Sequence, residues 1–160
     1  MVSFLCDLLA HAEWANAVFF HIWGKSPARD HEEMRKRILH LVAVQQGFLA
    51  VIRGETPQWQ DEGPPPSFAD LRTRAVTSHA ELSDFVAGLT AYDIAQTVRI
   101  PWFPDPPCEV TVAEALIQVA MHSQHHRGQC MTRLKELGGE PKNVDWIIWL
   151  RKAKPAGRWD

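Results

Sequence analysis

Apolar residues recur every three or four positions through most of this 160-residue chain, and four such stretches are long enough for helices. Leu5, Leu8, Leu9, Ala12, Ala15 and Phe19 share one helical face, and Gly24 and Pro27 end the pattern. That predicts a first helix over about 2–23. Asp30 and Glu33 have the spacing of an N-cap and its N3 partner. Met34, Ile38, Leu41, Phe48 and Ile52 then continue the period to Gly54, predicting a second helix over about 31–53. The stretch TPQWQDEGPPPS reads as a loop, because its three consecutive prolines supply no backbone donors. Ser67 is placed to cap a third helix over about 68–88, carried by Phe68, Leu71, Ala75, Leu82, Phe85, Val86 and Leu89.

Between 90 and 110 the period breaks. TVRIPWFPDPPCEV alternates briefly and then meets four prolines, so any strand is short and at an edge, in a small hairpin or an irregular crossover. Thr111 and Glu114 form a capping-box pattern ahead of Leu116, Ile117, Ala120, Met131 and Leu134, which predicts a fourth helix over about 112–137, stopped by GGEP. VDWIIWLRKA adds a short helix or an extended tail. The fold class expected is all-α, a four-helix bundle of one domain spanning 1–160, with a long crossover before the last long helix.

Composition narrows the function without naming it. Lys+Arg 17 against Asp+Glu 19 gives a net charge of -2 with no basic run, which argues against nucleic acid as a partner and against a basic membrane-binding face. Asp7, His11 and Glu13 interrupt the apolar start, so no signal peptide is expected. Cys6, Cys108 and Cys130 are odd in number and widely spaced, which fits a reducing cytoplasm better than a disulfide framework.

The chemistry concentrates in MHSQHHRGQC, residues 121 to 130, which holds three of the eight histidines. On a helix His122 and His126 project from one face a turn apart, where two imidazoles can hold one cation, while His125 is rotated away. A site needs a further ligand from a facing helix, and His40, set in RILHLVAVQQGFL, is the best candidate, with His11 in reserve. His11, His21, His31 and His79 otherwise read as solvated or capping groups, and Cys130 as a small core residue.

With these residues collected, the chain resembles the DinB/YfiT-like family of small metal-dependent proteins over nearly its whole length. HAEWAN (His11 to Asn16) is similar to the family's first helix. HLVAVQQGFLAVIRGE (His40 to Glu55) is similar to its second, and TVAEALIQVAMHSQHHRGQ (Thr111 to Gln129) to the fourth with its His-x-x-His-His-Arg-Gly-Gln signature. DWIIWLR (Asp145 to Arg151) is similar to its tail. The resemblance implies a four-helix bundle, commonly a homodimer, holding zinc or nickel on His40, His122 and His126. The chain departs from the pattern at Gln45, where the family carries an acidic residue, so no carboxylate is expected there.

Three imidazoles leave a divalent cation an open position, the arrangement of a catalytic rather than a closed site. His-Glu-x-x-His would need glutamate at 123, and Ser123 stands there, so the motif brings no general base of its own. His125, Gln124 and Glu13 are candidate helpers. Arg127 and Gln129 are expected to orient ligand rings or pack helices, and Gly128 to allow a close helix approach. The leading expectation, by resemblance, is a metal-dependent transferase or hydrolase acting on a small molecule, with a low-molecular-weight thiol or water as nucleophile. The other expectations are a non-catalytic metal- or ligand-binding bundle of a stress response, and a purely structural bundle. Val44 and Val51, away from the main stripe of the second helix, suggest a dimer interface.

Overall fold

The computed structural model describes residues 1–59 and 62–160. Its long helices are α1 (Val2–Gly24), α2 (Glu32–Ile52), α3 (Phe68–Ala87) and α4 (Val112–Glu136), and α5 (Trp146–Arg151) is one short helix near the C-terminus. A 3-10 turn at Asp93–Ala95 and an antiparallel hairpin of β1 (Thr97–Pro104) and β2 (Pro107–Thr111) form the crossover. α4 packs against both α1 and α2, and α3 also touches both, giving the four-helix bundle that the periodicity predicts.

Two of the predicted caps form. Ser67 Oγ accepts the Asp70 N–H at 3.2 Å. At the start of α4, Thr111 Oγ1 accepts from Glu114 N at 3.2 Å, and Thr111 N donates to Glu114 Oε2 at 2.7 Å, closing a capping box. The third is corrected: α2 begins one residue later than Asp30 would set it, with His31 at the N-cap and no side-chain cap bond. Glu33 instead accepts from Arg37 Nη2 at 2.9 Å. The loop read over 56–67 carries no helix or strand at its described positions, and Gln60 and Asp61 lie outside the described residues.

The proline-rich crossover pairs in register from Thr97↔Thr111 to Ile100↔Cys108, then shifts before Pro104↔Pro107. In a two-stranded sheet both strands are edges, so prolines can sit where no ladder donor is needed. Ile100 is buried, and Val98, Trp102 and Val110 pack beside it on the bundle. The same apolar cluster takes in Val44 and Val51, so the face of α2 that suggested a dimer interface is covered within the chain itself.

The core has two main apolar halves. One joins Leu5, Leu9, Phe48, Leu82, Val86 and Leu116; the other joins Phe19, Trp23, Met34, Ile38, Leu71 and Leu134. Every long helix changes from one half to the other through buried polar residues: Asn16 on α1, Gln45 on α2, Ser78 and His79 on α3, Ser123 and Arg127 on α4. These form a polar waist inside the bundle. Buried polar groups are tolerated only when hydrogen-bonded, so this layer fixes how the helices register against one another.

Candidate metal centre

At the level of the waist, on its α2–α4 side, the helices bring His40, His122 and His126 together. One ring nitrogen from each lies within 4.8 Å of the other two, and all three side chains are half-buried. Ring centroids are 5.3 Å apart for His40 and His122, 5.1 Å for His40 and His126, and 4.3 Å for His122 and His126. The spacing on α4 explains the shortest of these, because residues four apart stack one turn above another. Among the described residues no carboxylate or thiol joins the group.

The hydrogen bonds fix which nitrogen is free. His126 Nδ1 lies 2.9 Å from Gln129 Oε1, an oxygen that can only accept, so Nδ1 carries the proton and Nε2 keeps its lone pair. Gln129 is itself held, its Oε1 accepting from Arg37 Nη1 at 2.7 Å and its amide nitrogen 3.0 Å from His125 Nε2. His122 Nε2 is buried with no hydrogen-bond partner among the described residues. Burial, followed by the neighbouring charges of His126, His40 and His125, pushes the His122 pKa down to about 4. Burial also lowers that of His126, against the opposing pull of the Gln129 hydrogen bond. Both rings are therefore neutral near pH 7, the form that ligates a metal. A buried imidazole nitrogen without a partner among the described residues, in a group with two more imidazoles, fits a divalent cation such as zinc.

The neighbouring residues of α4 face the waist instead. Ser123 Oγ donates back to the Val119 carbonyl at 2.8 Å and accepts from Gln45 Nε2 at 3.0 Å. Ser78 Oγ donates to Gln45 Oε1 at 3.0 Å. Position 123 thus points into the core, away from the three histidines, and Gln45 is built into this network. Arg127 takes the helix-packing one of its two expected roles: its guanidinium donates to Asn16 Oδ1 on α1 at 2.8 Å, and Asn16 Nδ2 donates to His79 Nε2 at 2.9 Å. Burial lowers the Arg127 pKa to about 10.

Other expectations change as well. His11 and His79 are buried rather than solvated, with exposures of 6% and 2%. His11 Nε2 sits 2.9 Å from the Val144 carbonyl, against Trp146 and Trp149, and takes no place with the triad. His21 is exposed, and His31 stands at the helix start as expected. Cys130 is fully buried, and burial raises its thiol pKa to about 12, as befits a core residue. A Cβ at Gly128 would meet nothing within 4 Å, so no close helix approach explains that glycine. Of the candidate helpers, Glu13 accepts from Trp159 Nε1 at 3.2 Å, and Gln124 lines a separate cavity with His11 and Arg127. His125, beside His126, is bound to Gln129.

The triad opens into a cavity of about 850 Å³ that His40 and His122 help to line. Its walls include Phe48 from α2, Trp59 from the loop and Trp102 from β1. Trp102 lies edge-on to both, at 5.1 Å from Phe48 and 5.1 Å from Trp59. Sequence reasoning missed this wall because its members are 11 to 54 positions apart and belong to three different elements. One signal was present: Gly47 in the middle of α2, where glycine costs ~1 kcal/mol relative to alanine. A Cβ there would come within 2.9 Å of the Trp59 ring, so the glycine is what lets that ring lie on the helix.

Comparison with known proteins agrees with this architecture. The sequence profile of the DinB superfamily matches residues 21–130, which takes in His40, His122 and His126. No curated protein and no solved structure matches the chain.

Proposed function

The chain belongs to the DinB superfamily, a metal-binding family, and from that membership and its three convergent imidazoles we propose a metal-dependent enzyme acting on a small molecule. The observation that carries this reading is the buried Nε2 of His122, without a hydrogen-bond partner among the described residues, in a group of three histidines beside a large cavity. Zinc and nickel both accept imidazole and are the ions proposed. When bound on three imidazoles, such an ion supplies an open position that lowers the pKa of a thiol or a water toward neutrality.

The protein's own residues do the rest. His40, His122 and His126 offer ring nitrogens; Gln129 holds the His126 ring in its ligating tautomer; the apolar cavity walls flank the open side of the group. Transfer of a low-molecular-weight thiol to an electrophile and hydrolysis are the two reactions this arrangement suits. A second reading, a bundle that binds metal or a small ligand without turnover, is favoured by one observation: no carboxylate joins the triad among the described residues.

The test is elemental mass spectrometry on untagged protein, with His40→Ala, His122→Ala and His126→Ala in parallel. Near-stoichiometric zinc or nickel in the wild type, lost from all three variants while they stay folded, is the expected result. Metal retained in full by the His122 variant would overturn the assignment. A thiol-transfer and ester-hydrolysis screen of the loaded protein then separates enzyme from binder, since turnover that vanishes with the metal rejects the second reading.

A further inference from the structure

The cavity beside the triad has a chemical bias of its own. Phe48, Trp102 and Trp59 form a continuous aromatic wall, and Trp59 is seated on α2 where Gly47 leaves room for it. Val44, Ile100 and Val110 complete an apolar lining. Among the described residues that line the cavity none is Lys or Arg, whereas Glu62 and Glu114 both do. The volume, about 850 Å³, is that of a site for a drug-sized molecule.

We propose that this cavity binds a ring-bearing small molecule that is uncharged or cationic, its ring against Trp59, Trp102 and Phe48 and its polar end toward His40 and His122. The inference deepens the metal-dependent reading by naming its substrate class, and rests on that reading for the direction of the polar end. Aromatic walls reward ring burial, by edge-to-face contact and by area removed from water. They also attract a cation over their faces. A carboxylate or phosphate carried into the same space would lose its hydration, meet no Lys or Arg among the described lining residues and share the cavity with Glu62 and Glu114. The metal-free site therefore discriminates against anionic ligands of equal size.

The test compares 1-naphthylmethylamine, 1-naphthalenemethanol and 1-naphthoate, which share a ring and differ in charge, by calorimetric titration of the full-length protein. Metal-free protein is used first, so that a carboxylate cannot score by coordinating an ion, and zinc-loaded protein second. The amine and the alcohol are expected to bind metal-free protein at least about tenfold more tightly than the carboxylate. Gly47→Ala pushes the Trp59 ring off its seat; it should weaken the alcohol by roughly three- to tenfold while thermal stability and zinc stoichiometry stay at wild-type values. Trp59→Ala, outside every helix and strand, should weaken it by a similar factor and so covers the case in which the helix variant misfolds. Naphthoate binding as tightly as the amine, no binding of any of the three, or unchanged affinity in folded Gly47→Ala or Trp59→Ala would overturn the proposal. A wild type that binds the rings but no divalent metal would overturn the metal reading and leave ring recognition standing. Metal without ring binding would do the reverse.

Discussion

Two pairs of residues on α4 are offset by a single position, yet they live in opposite circumstances. Ser123 and Arg127 are 0% and 3% exposed and hydrogen-bonded across the bundle to Gln45 and Asn16. His122 and His126 are half-buried, and His122 keeps a nitrogen with no hydrogen-bond partner among the described residues. One step along a helix turns a side chain by about 100°, which is enough to separate a closed polar layer from an open one. The difference teaches how to tell the two kinds of polar cluster apart. A satisfied network holds helices in register, whereas donors left convergent and unsatisfied beside a cavity are available to a ligand.

The comparison breaks if the two clusters respond alike to mutation. The largest effect is expected at the open one: His122→Ala should lower zinc affinity by more than about 100-fold, since even residues that merely orient a ligand are worth ~10–100-fold. Its cost in stability should be small, because the buried Nε2 it removes has no hydrogen bond among the described residues. Asn16→Ala should do the opposite. It strips the Arg127 guanidinium and His79 Nε2 of a shared partner, leaving a buried charge uncompensated at ~3 kcal/mol in urea unfolding, with metal stoichiometry unchanged. A loss of metal in the Asn16 variant, at full folding, would merge the two clusters into one.

These two clusters were unequally legible in the sequence. His122 and His126 stand four apart on a helix whose cap and period are both local, so their common face follows from spacing alone. His40 was reachable because it interrupts an apolar run. The waist was not legible: His79 and Asn16 are 63 positions apart, Arg127 and Asn16 are 111 apart, and each residue in isolation resembles a solvated polar side chain. His11 is the same case, bonded to a carbonyl 133 positions away. The burial of Val44 and Val51 was not legible for a related reason, because the apolar cluster that takes them in includes Ile100 from a proline-rich stretch with almost no period.

A third, smaller effect sharpens the contrast through pH. His79 is fully buried and accepts a hydrogen bond, and desolvation first, then the Arg127 charge, lower its pKa to about 3. In the unfolded chain its pKa is ~6.5, so the unfolded state binds the proton first as pH falls. The stability that neutral His79 contributes is present in full above about pH 6.5 and is lost progressively toward pH 3, by ~2 kcal/mol between pH 7 and pH 5. His11 shifts in the same direction, chiefly through burial, and adds to the slope. Urea midpoints at pH 7 and pH 5 check the prediction, and His79→Gln should flatten the slope while leaving zinc stoichiometry intact. A wild type equally stable at both values would remove His79 from the structural layer.

The smallest effect concerns Gln129, which ties the open cluster to the rest of the surface. Gln129 Oε1 accepts from both His126 Nδ1 and Arg37 Nη1, so it sets the tautomer of a proposed ligand without touching the ion itself. Gln129→Ala removes that acceptor, frees the ring to rotate and to protonate either nitrogen, and should weaken zinc by about tenfold at unchanged stoichiometry. Gln129→Glu keeps an acceptor at the same place and makes it charged, which increases the basicity of the imidazole; affinity should return to the wild-type value or exceed it. A role confined to packing predicts equal affinities for the two variants. Rescue by glutamate alone therefore marks Gln129 as a positioning residue of the open cluster, and places the boundary between the two clusters within a single turn of α4.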